Sequence, residues 1–244
     1  TESHVAMHLA PDKLETYRAR GIIFEATGNY QEAIDQYKEA ININSNISDL
    51  HLKLGVNYKI LGFYDQAIAE FTTANSLNPD DPTPDLYLSR TYTTLGSYEQ
   101  AMQYADTAVG NNPTDTYLRG NLGLMYYYNA FWEKSATELG YVVNGGVTKD
   151  GKQLNAINLV PDDPRIAEFY FTYGRALSRL NKCSEALDIA RMINERIPTN
   201  DLAMENATKI VNQCQQNLER TPIPPLPTSS DLVPASTVAA TPTP

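Results

Sequence analysis

The chain of 244 residues carries 19 basic against 29 acidic side chains, a formal net charge of -10, and 42% of its residues are hydrophobic. The charge repels a phosphate backbone and an anionic lipid surface alike, which excludes nucleic acid as the natural partner. The apolar fraction suffices for a core over most of the length. No window reaches the roughly 18 uninterrupted apolar residues of a membrane span.

Residues 1–11 read as an N-terminal arm. The sequence starts at Thr1 with neither an initiator Met nor a basic-then-apolar leader. The expectation is a processed mature chain, hence an exported one, or a chain shortened for expression. His4 and His8 stand four apart, a helical metal spacing, but no Glu follows the first and no further ligand is near. The arm is therefore read without a metal, and no cofactor is expected.

From residue 12 the sequence repeats itself every 34 positions. Gly28, Gly62 and Gly96 are each followed two residues later by Tyr30, Tyr64 and Tyr98. Ala33, Ala67 and Ala101 form another column, and Ala40, Ala74 and Ala108 a fourth. Earlier in each unit a small residue (Gly21, Gly55, Ser89, Gly123) precedes an aromatic one by three positions (Phe24, Tyr58, Tyr92, Tyr126). Small residues at fixed places let two antiparallel helices approach, and a Gly or Pro ends each helix. Asp80-Asp81 and Asp162-Asp163, each before a Pro, read as helix N-caps rather than catalytic carboxylates.

The run Leu54-Gly55, Tyr58, Gly62, Tyr64, Ala67, Phe71, Ala74 and Pro79 resembles the tetratricopeptide-repeat family, whose pattern it reproduces whole. The resemblance implies an all-α, right-handed superhelical solenoid of helix pairs. Four units span residues 12–147; the fourth is degenerate, with Ala130 for the turn Gly and Trp132 for the Tyr. A fifth follows at 165–199, displaced by 17 residues and with Asn181 at the turn. An apolar stripe through Leu202, Ala203, Ala207, Ile210, Val211 and Cys214 predicts a capping helix over 200–219.

Between the fourth and fifth units, residues 148–164 hold Asp150-Gly151 among Val, Leu and Ile, the signature of a β-hairpin. It is either a solvated loop or a knob that docks on another molecule. Cys183 and Cys214 lie at matching distances from a turn near Thr199. An antiparallel hairpin there permits a disulfide, with two buried free thiols as the alternative. A bond would place the protein in an oxidising compartment. Asn46 and Asn206 stand in glycosylation acceptor patterns. The tail, 220–244, is rich in Pro, Thr, Ser and Ala, with no helical or strand period.

In the resembled family the first helices line a concave groove. Carried over, this predicts a lining of Arg18 and Ile22, then Leu52, Lys53, Val56 and Lys59, then Leu86, Tyr87 and Arg90. The fourth unit adds Tyr117, Asn121, Leu124, Tyr127 and Tyr128; the fifth adds Phe171, Arg175 and Arg179. The Lys-Asn-Asn-Lys-Arg clamp of co-chaperone members is absent, since Ile22, Lys53, Thr83 and Tyr87 stand where four of its residues would be. An extended or polyproline peptide suits the aromatic lining better. No phosphate-binding glycine loop or nucleophile elbow is present, so an enzyme is not expected. The resulting expectation is an exported, extracellular or cell-surface scaffold that assembles with copies of itself into an oligomer or filament through tail or arm contacts. The alternative is a monomeric adaptor, periplasmic or cytoplasmic, for a separate peptide.

Overall fold

A computed structural model describes residues 11–220, so the arm with His4 and His8 and the Pro/Thr-rich tail from 221 lie outside the described residues. Helix pairs follow one another along the chain: α1 (Pro11–Ala26) with α2 (Tyr30–Ile43), α3 (Ser48–Ile60) with α4 (Tyr64–Leu77), and α5 (Pro82–Thr94) with α6 (Tyr98–Asn111). Next come α7 (Thr116–Tyr128) with α8 (Trp132–Asn144), a two-stranded hairpin of β1 (Gly146–Val147) and β2 (Gln153–Leu154), and α9 (Pro164–Arg179) with α10 (Cys183–Arg196). A last helix, α11 (Asp201–Arg220), packs on α9 and α10. The fold is an all-α solenoid in which each helix touches its sequence neighbours.

The repeated small residues explain the pairing. Each second helix buries a stripe at helical spacing, Ala33, Tyr37 and Ala40 in α2 and Ala67, Phe71 and Ala74 in α4, and each large ring lies against the small residue of the partner helix. The turn residues Gly28, Gly62 and Gly96 all have φ near +80°, and Ala130 (φ 62°) and Asn181 (φ 59°) adopt the same left-handed turn. Asp81, Asp115 and Asp163 cap their helices, each accepting from the amide two residues on.

Among the described residues a disulfide joins Cys183 and Cys214, with Cα atoms 5.4 Å apart. It ties the first turn of α10 to the cap helix. Cys214 is buried, as are Ala203, Ala207 and Ile210 along the predicted stripe.

The displaced fifth unit has two causes. Asn181 follows Ala130 by 51 positions rather than 34, and three of the 17 extra residues lengthen α9, which has 16 residues against 13 in α7. The others form the hairpin and the irregular segment that leads from it to α9. The expected boundary at residue 148 is corrected, because Gly146 and Val147 already pair with Leu154 and Gln153. The reading of a solvated loop is corrected too. Leu154 and Leu159 are buried, the Ile157 amide donates to Val142 O (2.8 Å), and the Thr116 and Tyr170 hydroxyls donate to Asn155 O (2.9 Å) and Ile157 O (2.8 Å). An insertion that kept its backbone groups in water would not bury two leucines.

Candidate peptide groove

First helices of neighbouring pairs touch one another from α3 to α9, more than second helices do, which sets α3, α5, α7 and α9 on the inner side of the curve. Their exposed side chains therefore line a shared face.

At the N-terminal end Arg18 forms an ion pair with Asp49 across two repeats, at 2.7 Å, and Ile22 is 43% exposed. Leu52, Val56 and Tyr87 are half-buried against the cluster of Ala67, Phe71 and Leu88, with the Tyr87 ring stacked on Phe71 at 5.2 Å. Leu86 and Tyr117 pack likewise on the C-terminal core. These side chains present one edge to the groove and hold the repeats together with the other. Lys53 is half-buried on the same helix.

The middle of the face gathers cations. The Lys59 ammonium is pushed below its ordinary range, first by burial and then by the nearby positive charges of Arg90 and Arg165. Arg90 Nη2 donates to the Tyr117 hydroxyl at 2.6 Å, and its buried Nε has no partner among the described residues. Farther along, the Tyr128 hydroxyl donates to Glu168 Oε1 (2.8 Å), and Glu168 also pairs with Arg165 (2.8 Å). Burial and that carboxylate both push the Tyr128 phenol up. A cavity of about 500 Å³ opens beside them, bordered by Tyr128, Arg165, Phe171, Arg175 and Leu202.

Three expected lining residues are corrected. Leu124 is fully buried, Asn121 is 1% exposed with its amide donating to Ser89 Oγ (2.9 Å), and Tyr127 is 8% exposed, whereas Phe171, buried to the same degree, still borders the cavity. On α7 the helix is packed by its partner α8, by α6 and α5 of the preceding repeat and by α9 of the next, so little of it reaches the groove. Tyr127 instead supports the Arg175 guanidinium, whose carbon stands 5.3 Å above the ring, while Arg179 lies 5.7 Å over Trp132. Arg165, Glu168 and Lys209 were not singled out from sequence. Arg165 and Glu168 continue the helical stripe of Arg175 and Arg179 back along α9, a signal that was readable; Lys209 comes from the cap helix, where the repeat gives no register.

Asn206 is corrected as a glycosylation acceptor: it is buried, its amide donating to Leu202 O (2.8 Å) and its carbonyl accepting from Arg175 (3.1 Å). Asn46 is exposed. His51 is buried between Glu70 (2.6 Å) and Ser45 O (2.9 Å). Among the described residues no group of three or more His, Cys, Asp or Glu is arranged to hold a metal, and no helix is long and apolar enough to cross a membrane.

Two repeat families match consecutive stretches of the sequence, one described as TPR repeat over residues 21–62 and one as tetratricopeptide repeat over 61–122. Residues 21–122 are tetratricopeptide repeats. None of the curated protein sequences compared with it matches. Among solved structures, this tetratricopeptide-repeat chain is similar to YrrB, described as a TPR protein with an unusual peptide-binding site, at 17% identity and a TM-score of 0.61 over 86% of this chain and 98% of that one. A tetratricopeptide repeat protein from Parabacteroides merdae superposes with a TM-score of 0.64 at 16% identity, over 85% and 76%. MamA from Desulfovibrio magneticus does so at 0.57 and 18%, over 84% and 97%. At these identities the likeness is one of fold. The repeat fold is that of a protein-interaction scaffold.

Proposed function

We propose that this scaffold holds an extended peptide along the inner face of α1, α3, α5 and α9. The observation that carries the reading is the convergence of Lys59, Arg90 and Arg165 between half-buried tyrosines. In a chain of net charge -10, such a positive strip on the inner face matches an acidic segment, and the ring edges and Ile22 match apolar side chains alternating with the acids. A selection of extended peptides on the full chain tests this. Peptides enriched on the native protein are expected to bind at least about tenfold more weakly to a Lys59→Glu variant, the loss of a charge-assisted contact plus a new repulsion. Enrichment that is indifferent to Lys59→Glu refutes the groove reading.

A second reading has another copy of the chain as ligand, its Pro-rich segment from 221 lying in this groove, in an exported, extracellular or cell-surface assembly. Support for export comes from the Cys183–Cys214 disulfide, since such bonds persist in oxidising compartments. Light scattering of the full chain and of a form lacking 221–244 decides it. An oligomer that becomes a monomer near the chain mass supports self-assembly, and a concentration-independent monomer in both forms leaves the adaptor.

A further inference from the structure

Beside the groove cavity, with which it shares Arg175 and Lys209, a second cavity of about 230 Å³ lies between the last first-helix α9 and the cap helix α11. Arg175, Ser178 and Arg179 border it from α9, and Lys209, Asn212, Gln213 and Gln216 from α11. No carboxylate is in the lining. We propose that this cavity is a binding site for an oxyanion, a carboxylate or phosphate carried by a ligand.

The side chains are arranged for that and for little else. Arg175 and Arg179 stand one turn apart on α9, a like-charge pair that disfavours the helix, and Lys209 adds a third positive charge from the facing helix. Neither arginine forms a salt bridge among the described residues. Arg175 bonds the neutral Asn206 carbonyl at 3.1 Å and rests on Tyr127, and Arg179 rests on Trp132 without a hydrogen bond or ion pair among the described residues. An aromatic face holds a guanidinium in place while leaving its in-plane donors free, which is the preparation a planar or tetrahedral oxyanion needs. Glu205 pairs with Lys209 at 2.7 Å, with both side chains more than half exposed, and its charge also reaches Arg175. Such a pair is weak, so Lys209 can exchange it for a ligand. Amides from Asn212 and Gln216 supply neutral donors around the rim, and that of Gln213 already donates to Asn217 Oδ1 (2.9 Å). In a chain of net charge -10, a cavity of this sign is a local inversion that concentrates anions.

Trp132, the single tryptophan of the chain, lies under Arg179 and serves as the reporter. The full chain is titrated with sodium phosphate and, separately, with a tetraglutamate peptide, each against sodium chloride at equal ionic strength. A saturable change in tryptophan emission is expected for at least one probe. Phosphate alone saturating assigns a phosphate-bearing ligand, tetraglutamate alone a carboxylate-bearing one, and both the shared oxyanion chemistry. Lys209→Gln, an exposed helix position, is expected to weaken the response at least about fivefold. Arg191→Gln makes the same charge change on α10, outside the cavity, and is expected to alter it by less than about twofold. No saturable response to either probe below about 10 mM overturns the proposal, as does equal weakening by the two variants.

Discussion

Gly55 on α3 lies directly beneath the ring of Phe71 on α4, so closely that a Cβ on Gly55 would stand 2.6 Å from Cε1 of the ring. Phe71 is fully buried and has no free direction in which to yield. Gly55→Ala is therefore expected to cost about 1–3 kcal/mol through overpacking. The second variant Phe71→Leu restores part of that loss in a double-mutant cycle, measured by urea unfolding, because it removes the atoms in conflict. Strict additivity of the two changes would contradict the contact as the cause.

Ala130 occupies the left-handed turn that Gly28, Gly62 and Gly96 occupy in the earlier repeats, at φ 62°. An L-residue there carries about 1–2 kcal/mol of strain, against a gain of about 0.4–1 kcal/mol from a stiffer unfolded chain. Ala130→Gly is expected to raise stability by about 0.5–1 kcal/mol. Gly62→Ala, where an added Cβ meets nothing within 4 Å, is expected to lower it by a similar amount through the backbone alone. Thermal unfolding of the two single variants should move the midpoint in opposite directions.

The same two positions show what the sequence made legible. Turn and pairing residues recur at 34 because the geometry they serve recurs, and Ala130 and Asn181 could be assigned to the turn by register although neither is glycine. The groove was less legible. Position in the repeat says which helix face a residue is on, but it does not say how closely the neighbouring helices cover that face, and Asn121, held to Ser89 of α5, is buried there. The cavity beside α11 was legible only through Arg175 and Arg179, since four of its seven lining residues come from a cap helix outside the repeat. That Leu154 and Leu159 are buried could not be read from Asp150-Gly151, which specifies a turn and not the surface on which it lies.

Cys183 and Cys214 close a loop with a sequence separation of 31. In the chain-entropy account this stabilises by about 3–4 kcal/mol, and in a solenoid the effect is local, because α11, the last of the described elements, packs on α9 and α10 and opens with them. Reduction, or replacement of both cysteines by serine, is expected to speed amide hydrogen exchange in α11 and α10 while α3 to α6 keep their native protection. Uniform acceleration along the chain would show instead that the solenoid unfolds as one cooperative unit.

Asp85 stands in the register held by His51 one repeat earlier and by Arg119 one repeat later. His51 pairs with Glu70 at 2.6 Å, and Arg119 with Glu138 at 2.8 Å. Asp85 has no such partner, because the corresponding place on α6 is Tyr104. One of its oxygens accepts from Asn75 (3.0 Å), and the other is buried with no donor. Burial first, and the charge of Asp81 second, push the carboxyl up from 3.8 to about 6. The folded state thus binds this proton more tightly than the unfolded chain. Its contribution is fully present below the unfolded value and is lost as pH rises through about 6. Across that window the wild type should lose up to about 3 kcal/mol relative to an Asp85→Asn variant, which keeps the acceptor for Asn75 and carries no charge. Urea unfolding of both proteins at pH 4 and pH 8 checks it. The expected result is near-equal stability at pH 4 and a more stable variant at pH 8, and a difference independent of pH would mean that Asp85 is neutral or solvated at both.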